Sequence, residues 1–252
     1  MMSFELPEIT RTVSYKAPSR GGLFIDATTA NVGYVTAGYV GRVSGYNRLK
    51  FQVRRGDKAY NYDFHYKPTQ YPINMGSGEY RFRIMENVKG NQYKEVMCIM
   101  RFVNLRSKFV PFTVPNVYCN YQIPGPCVSK ARSLCAKCET EIDALKAVTK
   151  WVAGNVSYDY EKAKSLASSK GYEPDPQKTL KERKGICFDY ASLAAAMLRA
   201  VGIPCRVVTG YVDNIYYHSW ISAYANGRWH RVDPTSMAVG HKFNEYRNRY
   251  VY

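Results

Sequence analysis

The feature that most constrains this chain is a change in the period of its apolar residues on either side of a proline-rich junction. From about Tyr34 to Val103 apolar and polar side chains alternate. Leu49, Phe51 and Val53 share one face in "LKFQVR", as do Tyr80, Phe82 and Ile84 in "EYRFRIM" and Val96, Cys98, Met100 and Phe102 in "EVMCIMRF". Successive strand side chains point to opposite faces, so a period of two predicts strands with one covered face. The breaks "RRGD" and "NMGSGE" supply the glycines that turns need. Several short strands with no helical pattern predict a β-sandwich-like domain over residues 1–112, with Cys98 a buried strand residue.

Four prolines then fall between Pro111 and Pro126, and residues 113–140 read as a Pro/Cys-rich linker. Beyond it the period becomes helical. Ile142, Leu145, Val148, Trp151 and Val152 mark one helix, and Leu193, Ala194, Met197, Leu198 and Val201 form the apolar face of a second that Gly202 and Pro204 end. "CRVVTGYV" is a strand, and "YYHSWISAYANGRWHRVDPT" is two more. Residues 141–252 are therefore predicted to be α+β.

Asn226-Gly227 is a favoured pair for a two-residue type I′ turn, which sets the register of the strands it joins. With Ala225 opposite Arg228, Tyr224 faces Trp229, Ser222 faces Arg231, Trp220 faces Asp233 and His218 faces Thr235. His218 and Asp233 are then diagonal neighbours on one face, with backbones about 7 to 8 Å apart. An imidazole and a carboxylate can bridge that gap.

Cys187 stands where "RKGICFDYASL" turns from loop to helix. Unpaired amides and the helix dipole favour a thiolate there, and the same amides can hold the oxyanion of a tetrahedral intermediate. A lone cysteine at such a place is also a common small core residue, and most strand histidines are merely packed. The conjunction favours chemistry, because a register read independently of Cys187 sets a carboxylate beside a mid-strand histidine. Cys187, His218 and Asp233 would then be nucleophile, base and orienting group. Asp189, in the same helical turn, is expected to point outward, since an inward carboxylate would oppose the thiolate.

These segments carry a family resemblance. "KGICFDYASLAAAMLRAVGIPCRVVTGYV", "YYHSW" and "GRWHRVDPT" resemble the signature segments of the transglutaminase-like superfamily of cysteine enzymes. "VSYDYEKA", "PFTVPNVY" and "MGSGEYRFRIMENVKGNQY" resemble bacterial members with a β-rich domain ahead of the catalytic one. The resemblance implies a papain-like core in which a cysteine-bearing helix packs on an antiparallel sheet, here over residues 141–252. It implies Cys187 as nucleophile, His218 as general base and Asp233 as the orienting carboxylate. The implied activity is acyl transfer on peptide or side-chain amide bonds through a thioester. Hydrolysis, as a peptidase or amidase, is the first expectation because it needs no second binding site. Protein-glutamine crosslinking is the alternative, and a non-catalytic binding module on the same fold is a third, which the intact cysteine and histidine disfavour. No cofactor is expected, and no loop resembles the calcium site of the animal crosslinking enzymes. Tyr158, Tyr160 and Trp220 are candidate cleft residues, with core packing the competing role for each.

Of the seven cysteines, Cys119, Cys127, Cys135 and Cys138 fall within twenty residues. A structural zinc site, two disulfides and free thiols all remain open for them, though the spacing is not that of a zinc ribbon. Cys205 reads as core.

The chain of 252 residues carries a formal charge of +16. Residues 1–118 hold 17 basic and 8 acidic side chains and the remainder 19 and 12, so the charge is no basic tail. An evenly basic surface fits a peptide or protein substrate that is acidic or cell-wall-derived. No zinc-finger spacing, RNP-type motif or long basic helix supports specific nucleic-acid binding. "MMSFELPEITRTVSYKAP" lacks the apolar core of a signal peptide, and no stretch is long enough for a membrane span. A cytoplasmic location is the default expectation, and an extracellular one if the chain is part of a longer precursor.

Overall fold

The structure, a computed structural model, describes residues 19–41, 45–167 and 171–252. Its contacts divide it into two units, one of residues 9–111 and one built on Phe112–Tyr252.

Among its described residues the first unit holds eight strands: β1 Ser19–Arg20, β2 Leu23–Asp26, β3 Tyr34–Tyr39, β4 Leu49–Arg55, β5 Lys58–Asp63, β6 Thr69–Pro72, β7 Gly78–Lys89 and β8 Gln92–Val103. They form two antiparallel four-stranded sheets, in the orders β1-β2-β3-β6 and β5-β4-β7-β8. The sheets meet through buried rings, with Tyr71 of β6 lying 4.3 Å from Phe51 of β4 and 5.4 Å from Tyr62 of β5. Leu49, Phe51, Val53, Tyr80, Phe82 and Ile84 all face inward, as their alternation predicts.

Strand β8 departs from the expected pattern. Ile84 pairs with Met97 and Phe82 with Ile99, which puts Cys98, Met100 and Phe102 on the other face, beside Arg83, Arg81 and Glu79. Met100 is 53% and Phe102 73% exposed, and Cys98 is only half-buried. Both faces of β8 are apolar in sequence, so alternation alone cannot choose between them. Its pairing with β7 does.

The second unit contains α1 Pro126–Cys135, α2 Glu141–Asn155, β9 Ser157–Tyr158, α3 Tyr160–Leu166, α4 Pro176–Glu182, β10 Lys184–Gly185 and α5 Cys187–Arg199. After these come β11 Cys205–Val212, β12 Tyr216–Ala225, β13 Arg228–Val232, α6 Pro234–Val239 and β14 Tyr246–Val251. The segment expected as a linker lies inside this unit. Helix α1 packs against α2 and α5 and buries Cys127, Val128, Ala131 and Cys135. Pro126 sits in its first turn, where a missing N–H breaks no hydrogen bond. Pro126 therefore marks a helix start, a role that composition does not separate from that of a linker proline.

Helix α2 begins with a capping box, Thr140 accepting from the Asp143 N–H while Asp143 accepts from Thr140. Helix α5 packs on β11 and β12 and is buried on every side from Asp189 to Arg199. Truncating any of Leu193, Met197 or Leu198 to alanine would cost about 2–5 kcal/mol. Arg199, wholly buried at the end of α5, donates to the main-chain oxygens of Cys205 at 2.9 Å, Val114 at 2.7 Å and Tyr252 at 3.0 Å. One guanidinium thus ties the entry of the unit, β11 and the residue after β14 to the central helix.

The sheet runs β13-β12-β11-β14, all antiparallel. Asn226 and Gly227 have φ of 48° and 80°, and Ala225 pairs with Arg228, Tyr224 with Trp229 and Ser222 with Arg231. This is the predicted register, and it ends at Ile221 with Val232. Among the described residues no helix is long and apolar enough to cross a membrane.

Candidate active site

Cys187 is the first residue of α5, half-buried, directly after a short parallel pairing of β10 with β9. Gly185 is required at this approach, because a Cβ there would lie 2.5 Å from the Cβ of Asp189. Asp189 does not point outward as expected. It is 1% exposed and folds back over the helix start, where it accepts from the Ile186 N–H at 2.8 Å, from Lys162 Nζ at 2.7 Å and from the Tyr172 hydroxyl. The lysine explains the inward position: a paired carboxylate no longer opposes a thiolate nearby. The Asp189 and Tyr190 amides donate to the Ile186 main-chain oxygen at 2.8 and 3.1 Å, so the Cys187 and Phe188 amides, ahead of them, are the ones suited to hold an oxyanion.

His218 lies on β12 opposite Gly210 of β11. A Cβ at Gly210 would lie 2.0 Å from the Arg247 main-chain oxygen and 2.9 Å from the Trp220 ring. Glycine there admits β14 and the indole together. His218 Nε2 meets Asp233 Oδ2 at 2.8 Å, and the imidazole is packed by Phe243 at 5.0 Å and Trp220 at 6.3 Å between ring centroids. Cys187 lies close enough to the imidazole to contribute, after Asp233, to raising its pKa.

Asp233 arrives by a different route from the one predicted. The β12–β13 ladder stops at Val232, and Asp233 is the N-cap of α6, with Pro234 in the first turn. Its Oδ1 accepts from the N–H groups of Thr235 and Ser236, both at 3.0 Å. That leaves Oδ2 for His218, the Ser236 hydroxyl at 2.9 Å and the Tyr246 hydroxyl at 3.0 Å. Burial works to lower the affinity of His218 for its proton, but the hydrogen bond with Asp233 and the nearby Cys187 thiol outweigh it and raise the pKa to about 9. Burial likewise works to raise the Asp233 pKa, and the bonds from His218 and Ser236 hold it below the usual carboxylate value.

Of the candidate cleft residues, Tyr158 lies close enough to Cys187 that, after burial, the thiol contributes to pushing its phenol up to about 12. Tyr160 is 70% exposed and packs edge-on against Tyr158 at 4.9 Å. Trp220 is buried beneath His218. All seven cysteines are free. Cys119, Cys127, Cys135 and Cys138 are buried, and burial pushes Cys127 and Cys135 up to about 12. Among the described residues no three cysteine, histidine or carboxylate side chains converge as metal ligands. Tyr246, Ser236, Lys162 and Tyr172 went unpredicted. Only Ser236 had a local signal, since "DPTS" is an Asp-Pro helix start.

Residues 128–234 match the family model of the transglutaminase-like superfamily. The chain is similar to the kyphoscoliosis peptidase of Mus musculus, with 28% identity over 113 residues, 40% of this chain and 17% of that protein. It is also similar to UPF0252 protein MJ1282 of Methanocaldococcus jannaschii, with 44% identity over 54 residues, 20% of this chain and 15% of that protein. It thus spans only a small part of the length of these relatives. Among solved structures, the periplasmic domain of TgpA from Pseudomonas aeruginosa aligns with a TM-score of 0.42 at 15% identity, covering 82% of this chain and 91% of that one.

Proposed function

We propose, from the membership of residues 128–234 in the transglutaminase-like superfamily, that the second unit is a cysteine-dependent acyl-transfer enzyme acting on peptide or side-chain amide bonds, with hydrolysis as the outcome. One observation carries this function: His218 is bonded through Nε2 to Asp233 and lies close enough to Cys187, the first residue of α5, for the thiol to contribute to its raised pKa. The similarity to a protein named as a peptidase supports hydrolysis.

In this mechanism His218 takes the Cys187 proton, and Asp233 steadies the resulting imidazolium. The thiolate attacks the amide carbonyl carbon, and the oxyanion turns toward the amides that open α5. Collapse breaks the C–N bond as His218 gives its proton to the leaving amine, and a thioester remains. Water then attacks the thioester while His218 accepts a proton from it. The C–S bond breaks, the acid leaves, and Cys187 recovers its proton. The evenly spread charge of +16 supports a substrate that is an acidic or cell-wall-derived peptide.

The test is iodoacetamide labelling near neutral pH together with turnover of a peptide library. Cys187 should be alkylated well ahead of the six other thiols, and Cys187→Ala should abolish turnover. Alkylation no faster than an unperturbed thiol, or unchanged turnover in the variant, overturns the mechanism. A glutamine peptide incubated with a tagged amine separates the outcomes. Ammonia release without tag incorporation supports hydrolysis, and incorporation would make the chain a crosslinking enzyme.

A further inference from the structure

Between Pro176 and Cys187 the chain holds four basic side chains and one acidic one, Glu182, which lies 4.0 Å from Lys178. Lys184 meets Asp159 at 3.2 Å. Arg183 has no carboxylate partner among the described residues, and its guanidinium lies 4.3 Å from the ring centre of Trp151 on α2. Lys130 of α1 lies 4.6 Å from the centre of the same ring, and among the described residues it too has no carboxylate partner. The two charges therefore stand no more than about 9 Å apart, around one half-buried indole.

The backbone of Arg183 is fixed on both sides. It is the C-cap of α4 at φ 56°, its N–H donates to the Thr179 main-chain oxygen at 2.9 Å, and its own carbonyl accepts from the Ser157 N–H at 2.9 Å and the Ser157 hydroxyl at 3.0 Å. A ring contact occupies the face of a guanidinium and leaves its in-plane N–H fork for a planar acceptor, while an ammonium keeps donors on the side turned from the ring. Two like charges at this spacing repel each other, and a carboxylate placed between them relieves that repulsion. Donors positioned in advance by the ring lose little freedom on binding. The indole adds an apolar wall, which suits the carbon stem of an aspartate or glutamate better than a bare inorganic ion.

Strands β9 and β10 run in parallel from this cluster to the nucleophile. Ser157 bonds Arg183 where they begin, and Tyr158 pairs with Gly185, two residues before Cys187. Arg183 is four residues from Cys187, at most about 13 Å of extended chain, and about four residues of an extended peptide cover the same span. We infer that Lys130 and Arg183, held around Trp151, form a subsite for an acidic side chain of a peptide substrate, within about four residues of the attacked amide. The subsite rests on the acyl-transfer function for the identity of its peptide alone.

Calorimetric titration of the full chain bearing Cys187→Ser tests this without turnover. Four probes are used: two acetylated and amidated nonapeptides with a central glutamine and one glutamate, four residues before it or four residues after it, their counterpart with glutamine for that glutamate, and inorganic phosphate. At low salt at least one glutamate peptide should bind tenfold or more tightly than the uncharged counterpart, and added salt should shrink the preference. Arg183→Gln and Lys130→Met should each remove most of the preference and leave binding of the uncharged peptide as it was. Lys130→Met, on a different helix, decides the matter if Arg183→Gln fails to fold. Equal binding of charged and uncharged peptides, a preference kept in either folded variant, or phosphate bound more tightly than the glutamate peptides overturns the proposal. Turnover of these peptides by the unmodified chain separates the subsite from the function. Turnover with no carboxylate preference overturns the subsite alone, and a preference in a protein that never forms an acyl-enzyme overturns the function and leaves the carboxylate site standing.

Discussion

Asp189 and Asp233 are buried carboxylates built on one plan, the first in the helical turn that Cys187 opens and the second bonded to His218. Asp189 accepts from one main-chain N–H at a helix start and Asp233 from two, each accepts from a tyrosine hydroxyl, and each meets one basic nitrogen. For Asp189 that nitrogen is Lys162 Nζ at 2.7 Å, and for Asp233 it is His218 Nε2 at 2.8 Å. An ammonium keeps its charge across the neutral range, whereas an imidazole exchanges a proton within it. Two similar cages can thus do different work: the first fixes a charge and holds the start of α5, and the second holds a proton that can move.

Three experiments would break or sharpen this contrast. The largest effect is expected from Asp233→Ala, which removes the group that orients His218. kcat/KM should fall by about 10⁴-fold, and in denaturant unfolding the loss of the His218 pair adds to the about 1–2 kcal/mol of the α6 cap. A fall of less than tenfold would place the orienting role elsewhere. Lys162→Met should show the reverse pattern. It leaves Asp189 buried without its counter-charge and should cost about 3 kcal/mol, the low end for a broken buried pair because Lys162 is partly exposed. Activity per folded molecule should stay within tenfold. Stability unchanged by urea unfolding would show that the Asp189 cage does not depend on the lysine.

The smallest effect is in the pH profile. Because the folded state raises the His218 pKa from 6.5 to about 9, its contribution to stability is complete below about pH 6.5 and is lost as pH rises through about 9. The rate should fall over the same limb, since the leaving amine needs the imidazolium. In Asp233→Ala the limb should move down toward the value of an ordinary histidine. A limb that stays near 9 in that variant would mean that Asp233 does not hold the proton on His218.

Several features of the second unit were legible from the residues. The spacing of Ile142, Leu145, Val148 and Val152 marks α2, "CRVVTGYV" matches β11 residue for residue, and Asn226-Gly227 sets the hairpin register as far as Ile221. The proximity of Asp233 to His218 was also predicted, but along a ladder that ends one residue too soon. Asp175-Pro176 and Asp233-Pro234 both open helices, with the Asp175 and Asp233 side chains accepting from the next turn. The alternation of "GRWHRV" masked that signal in the second case. The aromatic and hydroxyl partners Phe243 and Tyr246 had no local signal, because their place depends on where β14 joins the sheet.

What the amino-acid sequence determined by itself is what a few neighbouring residues decide: the helix start at Cys187, the positive-φ turn at Asn226-Gly227, and the period of each strand. These depend on backbone sterics and hydrogen bonds that span a turn or two. Tertiary structure alone decided which apolar face of β8 is covered, why Asp189 can lie inward, and what holds Asp233. The deciding groups come from far along the chain: Lys162 is 27 residues from Asp189, and Tyr246 is 13 from Asp233. A buried charge is tolerated only where a partner is packed against it, and that partner's position is set by the whole fold.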